Sequence, residues 1–151
     1  MIEMALPYAA LFFLGLLAGI EFLVTFGLRG PLKALPVEPQ IVLRQALVRR
    51  LRIVVPMVAL TAVVLSVATT VRAFTVLRGY ELGCIFVWLL ATFFGTVPIN
   101  KALLAWHAEA PPANWQAKIR LWEALDTVRM LTAVAAFALF LAAELVPRGV
   151  L

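Results

Sequence analysis

The sequence predicts an all-α integral membrane protein: a four-helix bundle, up-down and antiparallel, with an amphipathic or extended helix in its first connection. Three observations carry this. Of the 151 residues, 64% are hydrophobic and 14% charged, and mean hydropathy is +1.02, whereas soluble domains are near half apolar and a quarter charged. Four apolar stretches, 5–28, 53–71, 82–104 and 125–145, approach or exceed the roughly 20 residues that span a bilayer core. Basic residues crowd the first and third connections and thin out in the second. Residues 1–151 therefore read as one transmembrane domain.

The first span carries no basic leader region and is too long for a signal-peptide core, which marks it as retained. Its "GLLAG", Gly15 to Gly19, permits close helix approach and offers a face for a homo-oligomer. Loop one holds Arg29, Lys33, Arg44, Arg49, Arg50 and Arg52 against Glu38 alone. After Pro36 and Pro39, "QIVLRQALVRRLRIVV" keeps helical periodicity, which predicts a helix lying at the interface or extending span two. Loop two, "RAFTVLRGYE", is short and makes spans two and three antiparallel neighbours. Loop three breaks at Pro111-Pro112, and Asn114 is placed to cap the helix that leads into span four. Ala133 and Ala136 supply a packing face there.

The net charge of +5 would suit nucleic acid, but its distribution is a topology signal, and no nucleic-acid partner is expected. The positive-inside rule puts loops one and three in the cytoplasm and both termini outside the inner membrane. Anionic membrane lipid is the natural contact of the basic loops. A lone Cys84 excludes disulfide chemistry within the chain, and a lone His107 excludes a bis-histidine haem within it. No cofactor follows from this inventory; a haem or metal shared between two chains stays open. The run "LVPRG" at 145–149 matches a protease-cleavage linker of expression vectors, so residues after about 145 carry no functional reading.

Ionisable groups inside a span cost roughly 2.5–3.5 kcal/mol to insert and mark functional sites by default. Glu21, Asn100, Asp126 and Arg129 all fall towards the loop-one side, because spans one and three end there and span four begins there. Trp122, Asp126 and Arg129 share one helical stripe. Phe93, Thr96 and Asn100 form another, beside Pro98, whose missing N–H leaves a carbonyl bare near Asn100. Thr25 extends the polar face of span one. Glu21 has no cation within a turn of its own helix, so it pairs with Arg129, takes up a proton or meets a ligand. Thr25, Thr96, Trp106, His107 and Trp122 complete a pocket for a lipophilic small molecule. Trp106, Trp115 and Trp122 also read as an interfacial aromatic belt, and Asp126 with Arg129 as an interfacial ion pair.

The acid in "AGIEF", then "TVPINKALLAW" and "RLWEALDTVRMLTAV", with Pro98, Ile99, Asn100, Trp106, Trp122 and Arg129 as the specific positions, resembles the anthrone oxygenase-like family of small membrane proteins, most of unknown function. The resemblance implies oxidation of an activated aromatic CH₂ to a carbonyl by O₂. For that chemistry Glu21 is the expected base, Arg129 and Asn100 the donors to the enolate oxygen, Asp126 the group orienting Arg129, and Trp106 and Trp122 the walls. Two other uses fit the residues: a non-catalytic structural or lipid-binding subunit, and a small proton-coupled transporter working through Glu21.

Overall fold

The computed structural model describes residues 2–146, with side chains from residue 5. Pro147 to Gly149 of the linker-like run therefore lie outside the described residues. Four helices are long and apolar enough to cross a membrane: α1, Ala5–Lys33; α2, Val37–Arg72; α3, Val76–Leu104; α4, Trp115–Leu145. Among the described residues there is no strand. Apolar side chains cover the outside, Met57, Leu60, Phe93 and Phe94 among them, the last 80% exposed. A surface of that kind is stable only against hydrocarbon. The chain is a multi-pass membrane protein.

Each helix runs further than its apolar stretch. The predicted helix in loop one is the continuous N-terminal half of α2, which extends the span instead of lying beside it. Over 36 residues α2 reaches about 54 Å, well beyond a ~30 Å core. Its start is buried because Ile41, Arg44, Gln45 and Val48 recur on one stripe and pack against Leu103, Ile119 and Trp122. Gln45 Nε2 donates to the carbonyls of Leu103 and Trp106 at 2.9 Å each, satisfying orphan acceptors at the end of α3. Loop two shrinks to residues 73–75, since Thr75 caps α3 by accepting the Arg78 amide at 3.3 Å. Asn114 stands at the N-cap position of α4 but makes no side-chain cap.

Tight pairings join α1 to α2, α1 to α4 and α3 to α4, and of the four pairs of neighbouring helices α2 and α3 touch least. Small residues make the tight pairs. Ala10, Ala18, Ala59, Ala62, Ala133 and Ala136 are all buried. A Cβ on Gly95 would stand 2.7 Å from Leu125 Cδ1, so the Leu125 side chain of α4 fills the space a larger residue on α3 would need. Gly15 is used the same way inside the chain, 3.1 Å from Phe137 by the same measure, while Gly19 meets nothing within 4 Å. The two glycines thus do not present one free face.

Two helices contain π-helical turns, Leu23–Leu28 in α1 and Ala91–Thr96 in α3. In the second, the Val97 amide reaches back to the Thr92 carbonyl just before Pro98. The i→i+5 ladder takes up an extra residue and shifts every preceding side chain by one position. The expected stripe of Phe93, Thr96 and Asn100 therefore becomes Thr92, Thr96 and Asn100, and Phe93 turns outward, 62% exposed.

Candidate functional site

All four helices contribute to a cavity of about 150 Å³ on the loop-one side. One apolar layer, with Leu17, Val58, Trp88 and Ala133, closes it towards the middle of the bundle. A second, with Ile41, Ile99, Leu103 and Ile119, closes it towards loop three. The polar residues between those layers are held by short side-chain bonds across the bundle.

Glu21, 1% exposed, comes from the turn of α1 before its π segment. Its Oε1 accepts from Arg129 Nη2 and, at 3.1 Å, from Trp88 Nε1. Both bonds fall on one oxygen, and Oε2 accepts none among the described residues. Arg129 also reaches Asp126 Oδ1 at 3.3 Å, and its guanidinium carbon lies 5.1 Å from the Trp88 ring centroid. Asp126 and Arg129 are thus not an interfacial pair at the lipid boundary. They are 2% and 8% exposed, and the arginine joins two carboxylates from different helices. Such a cluster is stable in a dry interior only because each member is paired.

Asn100 Oδ1 accepts from Trp122 Nε1 at 3.0 Å. Asn100 therefore spends its oxygen on the tryptophan, and its amide nitrogen is the group left for a ligand. Trp122 is a buried wall of the cavity and not a belt residue. Thr96 lines the cavity; Thr25 does not, although its hydroxyl is buried without a partner. Trp106 and His107 are absent from the lining. Trp106 is half-buried against the layer near loop three, with Lys118 Nζ 5.8 Å from its ring centroid. His107 is exposed in the connection. The turn that ends α3 at Leu104 carries both residues away from the bundle interior, and neither touches the cavity.

Three contributors escape the sequence reading. Arg44, counted there among the basic loop charges, is 1% exposed. It lies 5.2 Å from the Trp122 ring centroid and binds Glu123 Oε1 at 3.2 Å, while its Nε and Nη1 have no acceptor among the described residues. The signal for it was its place on the stripe of Ile41 and Val48. Glu123 is a hub: Lys33 Nζ sits 2.7 Å from its Oε2, and Arg29 donates to its backbone carbonyl at 2.6 Å. Trp88, inside an apolar run, gave no sign that its indole N–H reaches Glu21.

The cavity wall carries Glu21, Glu123 and Asp126 against Arg29, Arg44, Arg52 and Arg129. Of these guanidiniums Arg44 and Arg129 are buried and Arg52 is exposed, and Arg44 Nε and Nη1 and Arg129 Nε are buried nitrogens without an acceptor among the described residues. In low dielectric those donors favour an anion or a group that becomes one. Among the described residues no three of His, Cys, Asp and Glu gather as a metal site would need. No family model, curated protein or solved structure matches the chain.

Proposed function

We propose that the chain is an integral membrane enzyme, oxygenase-like, that oxidises a lipophilic aromatic substrate of the anthrone type in this cavity. The observation that supports the reading most is the Arg44 guanidinium, buried with two of its three nitrogens unpaired beside an apolar space. Such a site suits a ligand that is apolar in outline and turns anionic at one oxygen. Glu21 Oε2 takes a proton from the activated CH₂. Arg44 and Arg129 hold the enolate oxygen, and the carbanion passes an electron to O₂. Radical pair collapse forms a hydroperoxide; loss of its remaining C–H proton breaks the O–O bond. The sum is CH₂ + O₂ → C=O + H₂O. A cavity of about 150 Å³ takes one benzene-sized ring, so the outer rings of a fused substrate would lie in the loose contact between α2 and α3.

The test is quinone formation from an anthrone in air, followed by visible absorbance and O₂ uptake with purified protein in detergent. Glu21→Gln abolishes turnover, and Arg44→Gln lowers kcat by about 10²-fold, the usual effect of losing one oxyanion donor. Turnover no faster than the uncatalysed reaction, or unchanged in Glu21→Gln, sinks the proposal.

A lipid-binding subunit is the second reading, supported by the rim of Arg29, Lys33 and Arg52, which suits an anionic headgroup. Its mark is anionic lipid that copurifies with the protein, persists in Glu21→Gln and is lost in Arg44→Gln, without any turnover. The transporter reading draws less support, because Arg129 and Trp88 clamp the Glu21 carboxylate. For the bilayer, the proposal is the inner membrane, with loops one and three cytoplasmic and the termini outside. Arg49, Arg50, Arg52, Lys101 and Arg120 are exposed on the loop-one side, as the positive-inside rule favours.

A further inference from the structure

A second polar cluster lies in the opposite half of the bundle, and nothing in the proposed reaction uses it. Glu81, 0% exposed, stands on the inner stripe of α3 with Ile85 and Trp88. Among the described residues neither of its carboxylate oxygens has a hydrogen-bond partner. The Ser66 hydroxyl of α2 faces it without closing a bond, and it too is 0% exposed and unpartnered. Thr70 lies one turn further along the same face of α2, its hydroxyl also buried and unpartnered.

The neighbouring cation does not neutralise Glu81. Arg78, one turn back on α3, binds Glu144 of α4 and the backbone carbonyls of Thr69 and Ala73, the first of these carbonyls at 3.3 Å. Its ring partner is Phe140, 5.7 Å away. Among the described residues the titratable groups around Glu81 are thus Arg78, Glu144 and the Cys84 thiol one turn on. Among the described residues two carboxylates share one guanidinium, and one negative charge is left over in an apolar interior. An isolated ionised carboxylate is not sustained there.

The geometry points to a membrane-embedded site for one monovalent cation, H⁺ or Na⁺, built on Glu81 with the hydroxyl of Ser66. The charge balance selects a monovalent ion, since a divalent one would leave an excess positive charge in the same dry space. Hard oxygen donors of this kind suit a proton or an alkali cation and not a soft metal. The site is independent of the cavity near loop one. Glu81 and Trp88 are seven residues apart, about 10 Å along the helix, and Ala62, Ile85 and Ala136 fill the space between as apolar core.

The probe is dicyclohexylcarbodiimide, an apolar reagent that adds to a buried carboxyl only when it is protonated. The full chain in detergent is labelled across a pH series with NaCl or KCl, and the adduct is mapped by peptide mass spectrometry. The expected result is an adduct on Glu81 that is absent in Glu81→Gln. Suppression by NaCl and not KCl identifies sodium as the ion; equal labelling in both salts identifies the proton. Where sodium protects, Ser66→Ala keeps the carboxyl and raises the sodium concentration needed about tenfold. That variant covers the case in which Glu81→Gln does not fold. No adduct on Glu81 at any pH, together with an infrared spectrum in which wild type and Ser66→Ala lack a carboxylic-acid carbonyl band, overturns the site.

Discussion

Arg44, Arg129 and Arg78 are built alike: each guanidinium is buried, lies over an aromatic ring and ends on a carboxylate from another helix. The ring replaces water on one face of the cation, a contribution of up to about 2 kcal/mol in a dry setting, and the carboxylate takes the charge. Arg129 is the member whose loss strands most, because Glu21 and Asp126 both depend on it. Arg129→Leu leaves two buried acids without a cation, and thermal unfolding in detergent should show a loss of about 3–5 kcal/mol. A double variant, Arg129→Leu with Glu21→Gln, should recover part of it, since it removes the stranded charge along with its partner. A fully additive loss would mean that the two side chains do not interact. Glu21, Asp126 and Arg129 are legible in the sequence because each interrupts an apolar run. Arg44 is not, because a cation within a basic stretch looks like any other loop charge until its helical stripe is followed.

Among the elements, the contact of α3 with α4 is the one that a single atom would alter most. Gly95→Ala places a methyl against Leu125, and overpacking of that kind costs about 1–3 kcal/mol. Leu125→Ala in the same chain should relieve most of that added cost. The check is a double-mutant cycle of thermal stabilities, and simple additivity would contradict the contact. The four spans were open to reading from hydropathy alone, since their apolar lengths approach or exceed the bilayer core. Their ends were not, because residues 37–52 and 115–124 are amphipathic extensions with no apolar run to count, and only helical periodicity after Pro39 and the cap position of Asn114 pointed to them. The π turns were also hidden. Pro98 forecasts a disturbed helix, but whether the ladder breaks or widens depends on packing against the neighbouring helix. The widened form decides that Thr92 and not Phe93 faces the cavity.

At the scale of the whole molecule the proposed orientation rests on where the basic residues surface, and it can be read chemically. With Cys84→Ser as background, Phe74→Cys in loop two and Glu109→Cys in loop three place one thiol at each exposed end. A membrane-impermeant maleimide should label Phe74→Cys on intact cells and Glu109→Cys only after permeabilisation; the reverse pattern inverts the topology. The bundle also separates its two polar clusters into opposite halves, with an apolar layer between. Charge at one end is therefore insulated from charge at the other.

The slack seam between α2 and α3 has a consequence for how any ligand arrives. Its flanks, with Met57, Leu60, Phe93 and Phe94 turned outward, belong to the acyl-chain region, so a guest of the proposed cavity would slip in sideways from the bilayer. Occupancy then follows the mole fraction of guest dissolved in lipid. Titrations at different protein-to-lipid ratios would give scattered constants in aqueous units and collapse onto one curve when plotted per lipid.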